Sequence, residues 1–230
     1  MDGVTSVTAL ENGTAGRIYA AGDAKIYYTT NGGFSWNISG TMSDVGIIND
    51  ILLNSDGTLF AATGYSGIVY RSYDQGESWV ATAALPDTNL VYCLLEASDG
   101  FLYAGTGPYG KVFKTNNNGS SWMPASELPL DMPAPILSIT ECSDGCIYIS
   151  TGLSGGYVYR TADGGNSWTE IPASLNVQGI HELLQNSDGY LFAATNPGEV
   201  YKSSEPIDAN SRVPVLNEYG MILMLLFMTS

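Results

Sequence analysis

The chain has 230 residues, of which 23 are acidic and 8 are basic, so its formal net charge is -15 at pH 7. So few Lys and Arg side chains cannot neutralise many phosphate groups, which argues against nucleic acid and anionic membrane surfaces as partners. Hydrophobic residues make up 44% of the chain, which also has 27 Gly and 15 Tyr. This composition excludes a disordered chain and favours short strands joined by tight turns.

The most regular feature of the sequence is an octet that ends in tryptophan and occurs four times. Its pattern is Ser/Thr-x-Asp/Asn-x-Gly-x-Ser-Trp. The Asp or Asn and the closing Trp of the four octets are Asn31 and Trp36, Asp74 and Trp79, Asn117 and Trp122, and Asp163 and Trp168. Successive tryptophans are 43, 43 and 46 residues apart. A repeat of this length, built from short strands and turn signals, is typical of a β-propeller blade.

Two further elements repeat in step with the octets. An Asp-Gly turn, as at Asp56-Gly57, leads to a short strand, and a later alternating run ends in a basic residue. These basic residues are Arg71, Lys114, Arg160 and Lys202. The sequence therefore predicts an all-β fold, a β-propeller of five visible four-stranded blades in residues 1-205. The fifth unit shows no strand D, so we expect an incomplete last blade, or a fragment of a larger propeller.

The octets have a structural explanation. An Asp or Asn side chain can bind nearby backbone N–H groups, Gly allows φ > 0, and Trp buries a large ring. The octets resemble the Asp-box, or BNR repeat, over residues from about 5 to 205. The resemblance implies the propeller superfamily that includes sialidases, sortilin and the photosystem II stability factor, and a structural role for the octet residues.

Residues 206–230 are predicted to form a tail outside the repeat. Residues 213–223, from Val213-Pro214 onward, resemble an exosortase-type C-terminal sorting motif. The resemblance implies a secreted or cell-surface bacterial protein, associated with the envelope through this tail if the tail is complete in the full gene. The apolar run from Met221 to Met228 is shorter than the ~20 residues that span a membrane, and Met1-Asp2-Gly3-Val4 does not resemble a signal peptide. A last strand on the propeller edge is the alternative.

The cysteines leave two possibilities open. Cys142 and Cys146 flank a Ser-Asp-Gly turn, and facing positions of a hairpin lie close enough for a disulfide if the geometry allows. A cross-turn disulfide and a pair of reduced thiols are both consistent with the sequence. Their spacing, without a second His or Cys pair nearby, does not predict a zinc site, so no metal and no cofactor is expected.

Candidate ligand-binding residues lie where the blades should approach the central channel. Asp50 and Glu182 share one position in strand A, and Tyr92 and His181 share the position before it. We expect these four side chains around the channel mouth, either as a ligand or cation site or as a hydrated rim. Two exposed tyrosines on neighbouring top loops, Tyr65 and Tyr109, could stack on sugar rings.

An enzymatic function is not supported by particular residues. A sialidase needs three converging arginines, but Arg71 and Arg160 occupy one repeated position, interpreted as outer-rim solvation. No catalytic residue is therefore assigned. The sequence favours a non-catalytic exported or cell-surface scaffold that binds a protein or glycan partner on its top face. The alternatives are a fragment of a glycoside hydrolase, sialidase-like or endoglucanase-like, that lacks its catalytic residues, and a periplasmic sensor propeller.

Overall fold

The computed structural model describes residues 4–43, 45–129, 133–152, 155–171, 177–208 and 216–218. Within these ranges the regular secondary structure is made of strands and one short 3-10 turn, Thr14–Gly16. The strands form five antiparallel sheets of four strands each, so the predicted all-β fold is confirmed. The same ranges contain no helix with the length and apolar character needed to cross a membrane.

Each sheet is built from consecutive strands, in the order A, B, C and D from the inner edge outward. The first blade contains β1 (Ala9–Asn12), β2 (Ile18–Gly22), β3 (Lys25–Thr29) and β4 (Asn37–Ile38). The second contains β5 (Ile47–Leu53), β6 (Leu59–Gly64), β7 (Val69–Ser72) and β8 (Val80–Ala81). The third contains β9 (Leu90–Glu96), β10 (Leu102–Gly107), β11 (Val112–Thr115) and β12 (Met123–Pro124). The fourth contains β13 (Ile136–Glu141), β14 (Ile147–Thr151), β15 (Val158–Thr161) and β16 (Thr169–Glu170). The fifth contains β17 (Gly179–Gln185), β18 (Leu191–Asn196), β19 (Val200–Ser203) and β20 (Leu216–Glu218).

The prediction that the fifth blade lacks a fourth strand is wrong. β20 pairs with β19, with Leu216 opposite Ser203, and completes the sheet. The sequence missed this strand because no octet precedes it. The predicted boundary at residue 205 therefore falls inside the fifth sheet. Most of the sorting motif, and the apolar run after it, lie outside the described residues.

The blades stand side by side with their inner strands around a common centre. β5 packs against β1 and β9, and β13 packs against β9 and β17. Within the described residues, β17 does not pack against β1 in the way that successive inner strands do. Over the described residues, the five blades therefore form an arc that is open between the fifth and the first blade.

The octets form the turns between strands C and D. In the second blade, Asp74 accepts hydrogen bonds from the Ser72 hydroxyl at 2.7 Å and from the Ser78 backbone N–H at 2.9 Å. The Ser78 hydroxyl also donates to Asp74. This bond first, and then the other two, favour the carboxylate and lower the pKa of Asp74 to about 2. The Gly76 N–H donates to the Ser72 hydroxyl at 2.8 Å, and Gly76 has φ 87. A substituted Cβ would be strained at that φ.

Two of the octet tryptophans donate a hydrogen bond to the preceding blade. Trp79 Nε1 donates to the Ser39 hydroxyl at 2.9 Å, and Trp122 Nε1 donates to the Thr82 hydroxyl at 3.2 Å. Both acceptors follow strand D of the preceding blade. A side chain of one repeat therefore completes the hydrogen bonding of the next.

Two of the repeated basic residues, Arg71 and Lys114, bind the following blade, so the interpretation of outer-rim solvation is wrong for them. The Arg71 guanidinium donates to the Asn118 carbonyl, and Lys114 Nζ donates to the Gly164 carbonyl at 2.5 Å. Both carbonyls belong to the octet of the next blade. Arg160 instead lies in its own blade, with Nη2 3.1 Å from Cys146 Sγ.

The turns between strands A and B are bound by the inner strand of the next blade. Glu96 accepts from the backbone N–H and the hydroxyl of Ser55, both at 2.6 Å. Glu141 accepts from the same two groups of Ser98. This contact joins residues about one repeat apart and was not predicted from the sequence.

The cysteines are present as free, buried thiols, and the cross-turn disulfide is not formed in the structure. Cys142 and Cys146 pair across their turn through a backbone hydrogen bond of 3.0 Å. Burial raises the pKa of Cys142 to about 12, and Asp144 adds to this effect. The neutral thiol is therefore favoured at physiological pH.

Candidate functional site

The inner strands of blades two to five carry a β-bulge at the same place in the repeat. The extra residues are Asn49, Tyr92, Leu137 and His181. The residues after them face equivalent positions of strand B, which confirms the predicted alignment, and they are Asp50, Cys93, Ser138 and Glu182. A bulge bends the strand and re-aims side chains. The repeat therefore brings two residues per blade to the centre of the arc.

These residues line one central cavity. It has a volume of about 710 Å³, and all five inner strands contribute to its wall. Asp50, Tyr92, His181 and Glu182 all belong to its lining. The structure thus brings together the four side chains that the sequence placed at the channel mouth. Two carboxyl groups and one histidine line this cavity, whose described wall contains no Lys or Arg.

Asp50 connects the second and third blades. One carboxylate oxygen accepts from the Ile51 N–H and the other from the Leu94 N–H, both at 2.8 Å. Burial raises the pKa of Asp50 to about 7, because desolvation disfavours the charged form, and the negative charge of Glu182 adds to this effect. Asp50 therefore has a structural task in addition to its place in the cavity.

Ser138 makes the corresponding contact between the fourth and fifth blades. Its hydroxyl accepts from the Leu183 N–H at 3.1 Å and donates to Glu182 Oε1 at 3.2 Å. Burial raises the pKa of Glu182. The position after the bulge thus holds residues that bind the backbone of the following blade.

Tyr92 and His181 differ from these clamping residues. Across the part of the chain that the structure describes, neither the Tyr92 hydroxyl nor the His181 ring makes a hydrogen bond. Tyr92 is half-buried, and a Cβ atom on Gly107 would stand 2.6 Å from its ring. Gly107 therefore leaves room for the aromatic ring. Both side chains have polar atoms available to a ligand.

The two loop tyrosines do not join this site. Tyr65 and Tyr109 are both exposed, as expected. The Tyr65 ring lies over Gly46, where a Cβ atom would stand 2.2 Å from Cδ2. Tyr109 lines a separate cavity of about 380 Å³, and Tyr65 is not part of that wall. The structure therefore gives no common stacking platform for these residues.

The described residues contain no group of three or more His, Cys, Asp or Glu side chains that could hold a metal ion. Asp50 and Glu182 are separated around the wall by Cys93 and Ser138. What the cavity offers chemically is an aromatic face, an imidazole and two carboxyl groups of raised pKa.

Comparisons with known proteins define the fold class. No protein-family model matches the sequence, and no curated protein matches it. YCF48 from Cyanidioschyzon merolae is 13% identical with a TM-score of 0.70, covering 92% of this chain and 71% of that one. Virginiamycin B lyase from Staphylococcus aureus is 15% identical with a TM-score of 0.70, covering 89% and 72%.

A third solved structure is a glycoside hydrolase. The GH74 xyloglucanase from Xanthomonas campestris is 14% identical with a TM-score of 0.71, covering 92% of this chain and 39% of that one. At these identities the likeness concerns the fold alone. The chain is a β-propeller protein, and its five sheets and central cavity agree with that class.

Proposed function

We propose that this β-propeller is a non-catalytic, exported binding module whose central cavity on the top face takes a glycan partner. The observation that supports this most directly is the pair Tyr92 and His181. Both occupy bulges that open onto one cavity, and neither is used for hydrogen bonding within the described residues. Side chains held by the scaffold but unused by it are available for recognition.

Comparison among the blades supports the same proposal. The octets keep Asp or Asn and Trp at equivalent positions because those residues have the same structural task in each blade. The bulge position instead holds Asn49, Tyr92, Leu137 and His181. A purely structural role would favour one residue type there. Four different side chains around one cavity give an asymmetric surface, which suits an asymmetric ligand.

The chemistry of the wall favours a neutral, polyhydroxylated ligand. The described wall has two carboxyl groups and no cationic side chain, so phosphate or carboxylate groups would be repelled. The Tyr92 ring can pack on the apolar face of a sugar. The imidazole of His181 can donate and accept hydrogen bonds to hydroxyl groups.

A glycoside hydrolase is the second candidate, favoured by the raised pKa values of Asp50 and Glu182. Perturbed carboxyl groups in a cavity are frequent at catalytic sites. Both oxygens of Asp50, however, already accept backbone N–H bonds. A carboxylate committed to the scaffold is a poor nucleophile or proton donor, so we expect binding without turnover.

Calorimetric titration with soluble cello-oligosaccharides and xylogluco-oligosaccharides tests the proposal. Tyr92→Ala and His181→Ala should each weaken binding by about 5- to 10-fold. Tyr65→Ala is the matched control, because that tyrosine is exposed outside the cavity. Equal affinity in all three variants would contradict the glycan site. Release of new reducing ends would support the hydrolase, and binding of a protein without any sugar would support a protein partner.

The proposed export and envelope association rest on the resemblance of residues 213–223 to a sorting motif. Fractionation of cells expressing the full gene, with and without residues 219–230, tests this part, because that deletion shortens the motif but keeps β20. The intact protein should appear in the envelope or the medium. Recovery of both forms in the cytoplasm would contradict it.

A further inference from the structure

Adjacent blades of this protein meet through two complementary faces. At the open side of the arc, one such face of the fifth blade and one of the first blade are left without a neighbour. We propose that this side is a docking surface for further blades of the same octet repeat, carried in the same reading frame.

The fifth blade exposes apolar side chains that the other blades bury. Val200 is 37% exposed, whereas Val69 at the equivalent position is fully buried. Leu184 is 63% exposed, whereas Leu52 packs against the cluster between the second and third blades. In blades two and three, the following blade covers these positions. The face of the fifth blade therefore has the composition of a junction that is not covered.

The first blade exposes the complementary half. Leu10 is 66% exposed. Ile51, at the equivalent position of strand A in the second blade, is only 3% exposed. A Cβ atom on Gly33 would meet open space. On Gly119 it would stand 2.5 Å from the Thr82 side chain of the preceding blade. The first octet thus lacks the contacts that later octets make.

Polar side chains of the fifth blade also lack the neighbouring-blade partners that their equivalents have. Asp50 and Ser138 accept backbone N–H bonds from the following blade, and Glu182 holds their position in the fifth blade. Ser55 is bound by Glu96 of the following blade. Ser187 holds the position of Ser55 and is exposed. A further blade would supply the N–H for Glu182 and a side-chain acceptor for Ser187.

Other occupants fit these observations less well. A second copy would bring five more blades, whereas both exposed halves belong to one opening between the fifth and the first blade. The apolar run at the end of this chain could cover Leu184, but it contains no octet to meet the first and fifth blades. The solved propellers that match most of this chain are themselves longer than it. Additional octet blades satisfy both the apolar and the polar halves.

The experiment uses the full chain and a version that contains a tandem duplication of residues 43–128, which adds two repeats in phase. In the longer chain, the amides of β18 and β19 should exchange with solvent roughly tenfold more slowly. Binding of the dye ANS should also fall. The same duplication with Leu184→Glu is the matched control and should keep the fast exchange. Unchanged exchange and dye binding in the folded duplicated chain would overturn the proposal.

Two measurements on the 230-residue chain address the other occupants. Concentration-dependent association in light scattering, abolished by Leu184→Glu, would assign the surface to a second copy and overturn the proposal. Increased dye binding after removal of residues 219–230 would assign it to the tail, with the same consequence. If the duplicated chain does not fold, the gene gives an independent answer. Further octets in frame beside these 230 residues would support the proposal, and a frame without them would overturn it.

Discussion

Trp168 stands beside Ala125 in the same relation that Trp79 has to Ser39, but without a hydrogen bond. A Cβ atom on Gly165 would lie 3.0 Å from Ala125 Cβ and 3.6 Å from Trp168 Cζ2. On Gly76 it would lie 2.8 Å from Ser39 Oγ and 3.7 Å from Trp79 Cζ2. The indole N–H of Trp168 is buried and has no partner within the described residues. One junction of the arc is therefore incompletely satisfied.

Ala125→Ser should stabilise the protein, because it places a hydroxyl where Ser39 and Thr82 place theirs. The expected gain is about 1 kcal/mol in the free energy of unfolding, or about 2–4 °C in the melting temperature. Ala81→Ser, on an exposed position of β8, is the control and should change little. Equal melting temperatures for Ala125→Ser and the control would show that the indole N–H is satisfied in another way.

Asp50 should make stability depend on pH. Its folded-state pKa of about 7 lies above its ordinary value of 3.8. Between these values the folded protein keeps a proton that the unfolded chain has released, so the free energy of unfolding falls as pH rises. The slope is at most about 1.4 kcal/mol per pH unit.

Asp50→Asn removes this titration, so the advantage of the original protein over the variant should shrink from pH 4 to pH 7. Asp74 and Asp163 have pKa values of about 2 and remain charged over this range. Denaturant titrations of both proteins at several pH values measure the difference. A difference that stays constant with pH would contradict the raised pKa.

The glutamates that bind the A–B turns should stabilise the protein in proportion to the number of hydrogen-bond acceptors that each provides. Glu141→Ala removes both acceptors for Ser98 and should cost about 1–2 kcal/mol. Glu141→Gln should cost less, because Gln185 already makes the equivalent contact by accepting the Ser143 N–H at 2.8 Å. Chemical unfolding ranks the two variants. Equal costs for the two variants would show that the carboxylate charge, and not the number of acceptors, decides this contact.

The thiols should be unreactive until the protein unfolds. Cys93, Cys142 and Cys146 are free and buried, and burial raises the pKa of each. We expect no labelling by iodoacetamide at pH 8 in the folded protein and three labels per chain in denaturant, read by mass spectrometry. A single label in denaturant, rising to three after reduction, would instead indicate the Cys142–Cys146 disulfide.

The repeat arithmetic was sufficient to predict the fold, because the octets carry their own turn chemistry and recur at blade spacing. It also aligned Asp50 with Glu182. It could not predict β20, since the residues before Leu216 carry no octet. It also misinterpreted Arg71, because a basic residue at the end of a strand has the same local pattern whether it faces water or a neighbouring blade.

The candidate site was predicted in part for a similar physical reason. Alignment of the repeats placed Asp50 and Tyr92 near the centre, but it predicted both as ligand-binding residues and did not distinguish a structural role from a binding role. Only the bulge and the hydrogen bonds separate the clamping residue from the residue with an unused polar group. Those bonds join atoms about one repeat apart, and the partner is a backbone N–H, which any residue type supplies.

The hydrogen bonds made by the octet tryptophans, the repeated basic side chains and the turn glutamates join a blade only to its immediate neighbours. Under mechanical load, the arc should therefore behave as a linear series of blades, because no packing between the described inner strands links its first and last members. A pull on the C-terminal end should detach the fifth blade before the fourth, one repeat at a time, as separate steps in a force trace. His181 and Glu182 would leave with the first step, so a ligand held by them should raise the force of that step alone.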